Sequence, residues 1–283
     1  MKPVSLLIKL GKYILIIAVV IFFLFPIYWL FITAFKPSNE WFAWPPIFFP
    51  RQWTLTSFIG GGGGVYEIGS IKDALPYLRN STVVGLITAA LSTIVSAMAA
   101  YSISRFKTGG TKLAGWIISI RLLPPISAAL PLFVIFRALK LLDTWWALIL
   151  THTLITSPLS TWILITFFNE IPKELDEAAY VDGATPLQSF FRITLPLAAP
   201  GIAAVAVLAL IQSWSEFLMA LVLTNSPRAQ TLPIFLGRYI TGWRVAWGPL
   251  AAAGLVAMLP VVVFGILMQR FLIRGLTFGA VKQ

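Results

Sequence analysis

Few side chains in this sequence could do chemistry, and those few lie far apart along the chain. Arg121, His152 and Glu216 each lie within an otherwise apolar segment. An enzyme would need a nucleophile beside a base or a pair of aspartates, and the spacing of these three residues indicates no such pair. His152 has no second ligand at metal-binding spacing, and the sequence contains no Cys. We therefore expect a packed or hydrogen-bonded histidine and no metal site.

The acidic residues are concentrated in one segment, because five of the ten acids fall between residues 170 and 182. The five are Glu170, Glu174, Asp176, Glu177 and Asp182. Pro172 suits the first position of a helix, and acids in the next turn interact favourably with the helix dipole. Gly183 can adopt the left-handed conformation that ends a helix. The pattern predicts a short helix from Pro172 whose residues at helical spacing are Leu175, Ala178, Ala179 and Asp182.

A second short helix is predicted directly after the first. Thr185 can cap it, Pro186 suits its first position and Pro196 stops it. Its apolar face consists of Leu187, Phe190 and Phe191. Such a pair of helices could be a solvated linker or a docking surface. The adjacent alanines of the first helix allow close approach of another backbone, and the apolar face of the second needs a cover, so the pattern favours docking.

The composition requires a lipid environment. Of the 283 residues, 58% are hydrophobic and 11% are charged, whereas soluble proteins contain about a quarter charged residues. The mean hydropathy is +0.88. The net charge of +11 comes from Lys and Arg between apolar stretches, which is typical of residues that fix membrane topology. The charge therefore does not indicate a nucleic-acid partner.

Six segments are long and apolar enough to cross a bilayer, which takes about 20 residues of helix. They are Tyr13–Phe35, Ser81–Ile103, Leu113–Phe136, Ala147–Phe168, Ala199–Thr224 and Pro249–Phe271. The first follows Lys2, Lys9 and Lys12, as in a secretory signal. Its apolar run is too long for a signal and no small-residue cleavage site follows it, so we expect an uncleaved first helix.

The distribution of Lys and Arg predicts the orientation of the spans. Lysines before the first span place the N-terminus in the cytoplasm, with the loop 169–198 and the tail 270–283 on the same side. Arg105, Lys107 and Lys112 are placed on that side as well. The segment 36–80 then lies outside. It contains Gly60–Gly64, followed by Val65-Tyr66-Glu67. A phosphate-binding loop needs a Lys and a hydroxyl residue after its glycines, so the glycine run is interpreted as a flexible turn.

Polar residues within the spans have two interpretations. An ionisable residue inside a membrane costs about 2.5–3.5 kcal/mol on insertion scales. Glu216, with Gln212 one turn before it, could border a translocation path or form a polar lock between helices. Arg121 is expected inside the bundle or paired with Glu216 or with a partner subunit. Hydroxyl residues also form stripes on the second and fourth spans, for which helix packing is favoured over lining of a path. The stripes consist of Thr88, Ser92, Ser96, Thr153, Ser157, Ser160 and Thr161.

The acidic segment resembles the EAA loop of binding-protein-dependent ABC importer permeases. Glu177-Ala178-Ala179 is followed after three residues by Gly183, and after nine more by Ile193-x-Leu195-Pro196. Other segments are similar to the maltose-type carbohydrate permeases, in particular to their second, six-span partner. These segments are Asn80-Ser81, Arg121 with Pro124-Pro125, Asp143-Thr144, Ile171-Pro172, Trp214-Ser215-Glu216-Phe217 and Gly279-Ala280-Val281-Lys282. In the fifth of these, Ser215 replaces the Asn of the family.

The resemblance implies an all-α integral membrane protein of six transmembrane helices, with the type I (MetI-like) ABC importer permease fold and cytoplasmic EAA coupling helices. It implies an N-terminal segment and first span (1–36), an extracytoplasmic loop (37–79), a permease core (80–271) and a cytoplasmic tail (272–283). The residues implied to couple to an ATPase are Glu177, Ala178, Ala179, Asp182, Gly183, Ile193, Leu195 and Pro196. Those implied near the translocation path are Trp214, Ser215, Glu216, Gln212 and Arg121.

The resemblance also implies several partners. They are a second homologous permease subunit in a heterodimer, a dimer of ATP-binding subunits, an extracytoplasmic solute-binding protein, a sugar or polyol and membrane lipid. ATP and Mg are expected on the partner ATPase, because this sequence has no Gly-x-x-x-x-Gly-Lys-Ser/Thr loop. The tail 279–283 is expected to reach toward that ATPase. The implied location is the cytoplasmic (inner) membrane of a bacterium or archaeon, with both termini in the cytoplasm.

An ion-coupled carrier that works alone is the alternative function. Such a carrier would predict paired internal repeats with broken helices near the membrane midplane, and no such repeat is evident in the sequence. The sequence does not identify the solute, because aromatic residues that could stack on a sugar are abundant throughout the chain.

Overall fold

The computed structural model describes residues 3–60, 71–243 and 245–278, and this part of the chain is helical. The helices are α1 (Pro3–Phe35), α2 (Thr56–Ile59), α3 (Leu75–Phe106), α4 (Gly110–Ser119), α5 (Pro125–Ala138), α6 (Trp145–Glu170), α7 (Glu174–Val181), α8 (Pro186–Ser189), α9 (Leu195–Leu197), α10 (Ala199–Trp214), α11 (Leu218–Leu223), α12 (Leu232–Gly237) and α13 (Trp247–Phe278). A π-helical turn, Phe190–Thr194, joins α8 to α9. The gaps include Gly61–Gly64 and the 279–283 tail, so the predictions for these segments lie outside the described residues.

Within the described residues, four helices are long and apolar enough to cross a membrane, and they contain the predicted first, second, fourth and sixth spans. Two further bent helix pairs raise the number to six if each pair is one span. In α1, none of the most apolar window is buried, whereas half of the corresponding windows in α3 and α6 is buried. The first helix therefore presents its apolar surface outward, while α3 and α6 form the interior of the helical core.

The predicted third span is not continuous. The helical segments on the two sides of Leu123 and Pro124 meet at an angle of 92°. Proline has no N–H to donate and disfavours a helical conformation in the residue before it, and Leu123 is accordingly extended, with ψ 127°. The Pro124-Pro125 pair thus divides the predicted span into two helical segments.

The predicted fifth span, Ala199–Thr224, is also interrupted. The first part, α10, ends at Trp214, and the second, α11, begins at Leu218. The carboxylate of Glu216 in the gap accepts hydrogen bonds from the backbone N–H groups of Met219 (2.8 Å) and Ala220 (3.1 Å). A side chain that satisfies the free N–H groups at a helix start stabilises that start. The polar residue therefore begins a new helix rather than lying inside a continuous one.

The chain forms two compact units, the first from residues 1–75 and 236–259 and the second from 76–235 and 260–283. In the first unit, Ala34 packs against Ala251 and Ala252. Lys36 is buried there and its amine lies 4.3 Å from the centre of the Trp29 ring. Burial lowers the pKa of this amine, and the nearby Glu40 carboxylate partly opposes that change.

Close helix packing holds the second unit together. A Cβ placed on Gly201, near the start of α10, would lie 2.5 Å from the ring of Phe167 on α6, so these two helices approach at a point where only glycine fits. The hydroxyl stripes also face each other: Ser157 Oγ lies 3.4 Å from Ser92 Oγ, and Ser96 donates to the carbonyl of Ser157 at 3.1 Å. The interpretation of the stripes as a packing interface is confirmed at these residues.

Asn80 and Asp143, each in a segment with a family resemblance, hold loops in place in the second unit. Buried Asn80 donates to the carbonyls of Pro227 and Gln230, both at 2.9 Å, and accepts from the indole N–H of Trp145 at 3.0 Å. Asp143 accepts from the backbone N–H groups of residues 225 and 226, both at 3.0 Å. These polar residues fix the loop after α11 against the starts of α3 and α6.

Candidate functional site

The acidic segment folds into the two predicted short helices, which we call the acidic hairpin (Glu174–Leu197). Gly183 adopts a left-handed conformation with φ 83° just after α7. Thr185 accepts from the Gln188 N–H at 3.3 Å, while the Gln188 side chain accepts from the Thr185 N–H at 2.8 Å. This reciprocal capping box holds the start of α8. The predicted turn glycine and helix cap are therefore confirmed.

The ends of the hairpin helices differ from the prediction. The first helix begins at Glu174 rather than Pro172. The second continues through the π-helical turn and past Pro196 to Leu197. Pro196 lies in the first turn of α9, where a helix does not require its missing N–H. The chain turns only after Leu197, with an 80° angle between the hairpin helices and α10.

The inner face of the acidic hairpin is organised by the carboxylate of Asp176, which is 3% exposed. Its Oδ1 accepts from the hydroxyl of Thr194 at 2.9 Å, from Tyr101 at 3.3 Å and, in a very short contact, from Ser189. Its Oδ2 lies 2.7 Å from Nε of Arg105. Asp176 was predicted only as one acid of the cluster, and Arg105 only as a cytoplasmic positive charge. The structure makes them a buried ion pair.

Aromatic packing surrounds this ion pair. The ring of Phe190, in the π-helical turn, lies 4.8 Å from that of Tyr101 on α3 and 6.4 Å from that of Phe168 on α6. Ala198, just before α10, and Val205, in the first half of α10, belong to the same cluster of buried side chains. The inner face of the hairpin thus packs against the ends of α3, α6 and α10.

The outer face of the acidic hairpin is exposed and combines apolar with acidic residues. Val181 is 87% exposed, Leu187 59% and Phe191 54%, beside exposed Glu177 and Asp182. Of the residues predicted at helical spacing, Leu175, Ala178 and Asp182 are exposed and Ala179 is buried. Among the remaining predicted coupling residues, Gly183 and Pro196 are exposed, and Ile193 and Leu195 are half-buried.

Glu216 and His152 are not isolated, which corrects the sequence-based expectation. His152 is 1% exposed; its Nδ1 lies 2.7 Å from Ser213 Oγ, and its Nε2 lies 3.3 Å from a Glu216 carboxylate oxygen. The group joins α6 to the gap between α10 and α11. Ser213 is itself buried, and Glu216 also caps α11, so the contacts of this Ser–His–Glu group are structural. The expected hydrogen-bonded histidine is confirmed.

Arg121 does not pair with Glu216. Its guanidinium donates to the Gln212 side-chain oxygen at 2.9 Å and contacts the Ile155 carbonyl at 3.4 Å. The residue borders a cavity of about 160 Å³ at the break between α4 and α5. The structure thus brings together two of the residues predicted near the translocation path, Arg121 and Gln212, by linking the divided third span to α10.

The remaining predicted path residues lie elsewhere. Trp214 lines a separate, apolar cavity of about 220 Å³ with Leu86 and Phe264. The exposed Ser215 donates to the carbonyl of Ile211 on its own helix at 2.8 Å. The path residues therefore divide into the Arg121–Gln212 contact, the Glu216 cap and the Trp214 cavity. In the part of the chain that the structure describes, no group of three or more His, Asp or Glu residues could hold a metal ion.

The chain matches the family model for the binding-protein-dependent transport system inner membrane component over residues 92–278. It is 37% identical over 263 residues to the trehalose transport system permease protein SugB of Mycobacterium tuberculosis, covering 92% of each chain. It is 34% identical over 260 residues to the sulfoquinovosyl glycerol transport system permease protein SmoH of Agrobacterium fabrum, covering 92% of this chain and 89% of that one.

Solved structures share the fold. A chain of a bacterial ABC transporter for import of the acidic polysaccharide alginate superposes with a TM-score of 0.74 at 18% identity, covering 96% of this chain and 99% of that one. A chain of the MetNI methionine ABC transporter gives a TM-score of 0.55 at 18% identity, over 72% of this chain and 95% of that one. The all-helical fold, the family match and the full-length relatives agree: this chain belongs to the binding-protein-dependent transport family, as a non-catalytic, multi-pass permease component of an ABC importer.

Proposed function

We propose that the chain is the permease subunit of an ATP-driven importer for a sugar or a related polyol or glycoside, and that the acidic hairpin receives the movement of a separate ATPase. The observation that carries the proposal is the outer face of the hairpin. Large apolar side chains rarely lie together on a free surface unless they meet a partner, and here Val181, Leu187 and Phe191 lie beside acids. Their inner neighbours are packed against three long helices.

The proposed docking residues are those of the hairpin's motif. They are Glu177, Ala178, Ala179, Asp182, Gly183, Ile193, Leu195 and Pro196. Of these, Glu177, Ala178 and Asp182 are exposed, and the small side chain of Ala178 leaves the backbone open to close approach. The partner surface should therefore offer an apolar recess with basic residues at its rim. ATP and Mg bind that partner, whose closure turns the permease from inward-facing to outward-facing.

The assembly in this proposal contains a second, homologous permease, two ATP-binding subunits and an extracytoplasmic solute-binding protein. The carbohydrate class rests on the relatives, which include permeases named for trehalose and for sulfoquinovosyl glycerol. In this arrangement both termini and the acidic hairpin are cytoplasmic, and 37–79 is the extracytoplasmic loop before the permease core. The contact of Arg121 with Gln212 borders the proposed path, since it lies at the break in the third span.

Two substitutions in the hairpin test the docking. Gly183→Pro cannot adopt φ 83°, since proline fixes φ near −65°, and Glu177→Lys reverses a charge on the exposed face. Both variants should insert in the membrane but lose uptake and binding-protein-stimulated ATP hydrolysis in the reconstituted complex. Gly183→Asn is the matched control, because Asn tolerates the left-handed conformation. Normal uptake in both test variants would disprove docking through this hairpin.

Reconstitution distinguishes the importer from a carrier that acts alone. The purified chain in liposomes, without partners or ATP, should take up no labelled trehalose or other disaccharide when an ion gradient is imposed. Uptake under those conditions would overturn the proposal. The chain can be co-purified with its ATPase and its solute-binding protein. Analysis of the sugar bound to the solute-binding protein would then identify the transported solute.

A further inference from the structure

The carboxylate of Asp176 joins its own helix to three other elements. It lies on α7, receives the Ser189 hydroxyl at the end of α8 and the Thr194 hydroxyl at the end of the π-helical turn, and contacts Tyr101 and Arg105 on α3. Both helical segments of the acidic hairpin are therefore held to the same residue, and that residue is held to a membrane-spanning helix.

The α3 side of this junction is equally well defined. Tyr101 and Arg105 are four residues apart and thus lie on one face of α3, one turn from each other. The Tyr101 hydroxyl is also 3.3 Å from that of Tyr180, on the same hairpin helix as Asp176. The side chain of Arg105 is 3% exposed. Farther along α3, Ser96 and Ser92 contact Ser157 on α6, so the helix that holds the hairpin also reaches the interior of the helical core.

We infer that Asp176 and Arg105 are positioning residues that fasten the acidic hairpin to α3, so that a displacement of the hairpin moves α3 with it. The inference rests on the proposed function, because it assumes that an ATPase moves the hairpin. In this inference, the residue that passes the hairpin's movement to α3 is Asp176, on the inner face of the hairpin. The proposed docking residues lie mainly on the outer face. Transmission through α10 alone, which follows the hairpin in sequence, would not need this ion pair.

The chemistry of the junction supports a role in positioning more than in folding. Replacing a buried ion pair by well-packed apolar residues is often neutral or stabilising, so such a pair is weak evidence for a contribution to stability. A carboxylate that accepts several hydroxyl groups nevertheless fixes the distances and orientations between the elements that carry those hydroxyls. Apolar packing constrains these distances and orientations less. Asp176 fixes them for residues of α3, α7, α8 and the π-helical turn together.

The Arg105 contact is made at one nitrogen only. Its Nε lies at ion-pair distance from Asp176, but the alignment is not that of a hydrogen bond, and among the described residues Nη1 and Nη2 have no hydrogen-bond partner. A lysine could therefore supply the same charge at the same carboxylate oxygen. Arg105→Lys should preserve the positioning, while Arg105→Gln should not.

The absence of native cysteine allows a direct test by spin labelling. Labels on Lys107→Cys, just after α3, and Lys173→Cys, just before α7, are both at exposed positions. In the assembled complex with its ATPase, the two labels should show a single distance. That distance should not change between the complex without nucleotide and the complex trapped with vanadate and MgATP. With Asp176→Asn or Arg105→Gln, the distribution should broaden or shift in the trapped state, and Arg105→Lys should restore it.

Coupling in the same complexes provides the second measurement. Asp176→Asn keeps an oxygen that can accept hydroxyl groups but loses the charge opposite Arg105. We expect assembled complex at normal yield and a loss of about tenfold in the stimulation of MgATP hydrolysis by the cognate solute-loaded binding protein, within the usual range of coupling between distant sites. Glu170→Gln, an exposed acid just before the hairpin, should leave stimulation unchanged.

The outcomes separate the two proposals. If wild-type complexes show stimulated hydrolysis, and Asp176→Asn retains both that stimulation and the single label distance, the positioning role is wrong while the importer function stands. A lower yield of complex with normal stimulation per complex also overturns the inference, since it reports only folding. If wild-type complexes themselves show no stimulated hydrolysis, the proposed function fails first.

Discussion

Two carboxylates with little exposure, Asp176 in the acidic hairpin and Glu216 in the interrupted fifth span, are held in different ways. Asp176 faces the guanidinium of Arg105 at 2.7 Å and accepts side-chain hydroxyls from three elements. Glu216 accepts mainly from the backbone of the helix that follows it and contacts His152 at 3.3 Å. The first is joined to distant segments of the chain and the second chiefly to its own next turn.

Because their partners differ, the Asp176 and Glu216 carboxylates contribute differently to holding the helices together. Removing Arg105 would leave a charge buried without its counterion, whereas removing His152 leaves Glu216 with its backbone donors. The Asp176 carboxylate meets residues of three other elements, whereas Glu216 meets α6 at His152. The hairpin junction therefore links several elements, and the Glu216 site is a helix cap with a weaker connection to α6.

The largest effect should follow from Arg105→Leu. Removing one partner of a buried ion pair costs about 3–5 kcal/mol, because the Asp176 carboxylate loses its compensating charge. Thermal unfolding of the purified complex should show the loss. The double variant Arg105→Leu, Asp176→Asn is the matched control and should recover most of it, because it removes the uncompensated charge and keeps an accepting oxygen for the hydroxyl groups. Equal stability of the single variant and wild type would show that Asp176 is not charged or not buried in the assembled protein.

Glu216→Ala should have the next largest effect, confined to α11. The loss of a helix cap costs about 0.5–2 kcal/mol, and we expect the upper end because the carboxylate meets both Met219 and Ala220. Hydrogen exchange of the α11 amides should accelerate while that of α7 does not change. Glu216→Gln retains an accepting oxygen and should cost less. Acceleration across the acidic hairpin as well would contradict the separation of the two sites.

His152→Leu should lower the free energy of unfolding by less, about 1–2 kcal/mol, because the buried Ser213 hydroxyl loses its hydrogen-bond partner. Glu216 keeps its backbone partners in this variant, so α11 should remain capped. Thr153→Val is a suitable control on the same helix, because the Thr153 hydroxyl has no hydrogen-bond partner among the described residues. Thermal unfolding of the two variants side by side measures the difference; a larger loss for Thr153→Val would reject the role of His152.

Thr185→Ala should have the smallest effect, about 1 kcal/mol, since it removes the cap of α8 but leaves the Asp176 junction in place. Thr185→Ser keeps the hydroxyl and should behave as wild type. Local hydrogen exchange at Gln188 reports the loss. A coupling defect as large as that of Asp176→Asn would mean that the cap, and not the ion pair, sets the position of the hairpin.

Local features of the acidic hairpin could be predicted from the sequence because each depends on residues within one or two turns. Gly183 takes a positive φ, and Thr185 with Gln188 forms a capping box. The burial of Asp176 was not predicted, and this has a physical reason. It depends on Arg105, which no local pattern connects to Asp176.

The sequence by itself determined that the chain belongs in a membrane, where the hairpin helices turn and which family it resembles, because hydropathy, helix caps and fixed motif spacings are properties of short segments. Tertiary structure alone decided the Arg105–Asp176 and His152–Glu216 pairings. These outcomes depend on which helices pack together, since a buried polar group must find its partner wherever the fold places one.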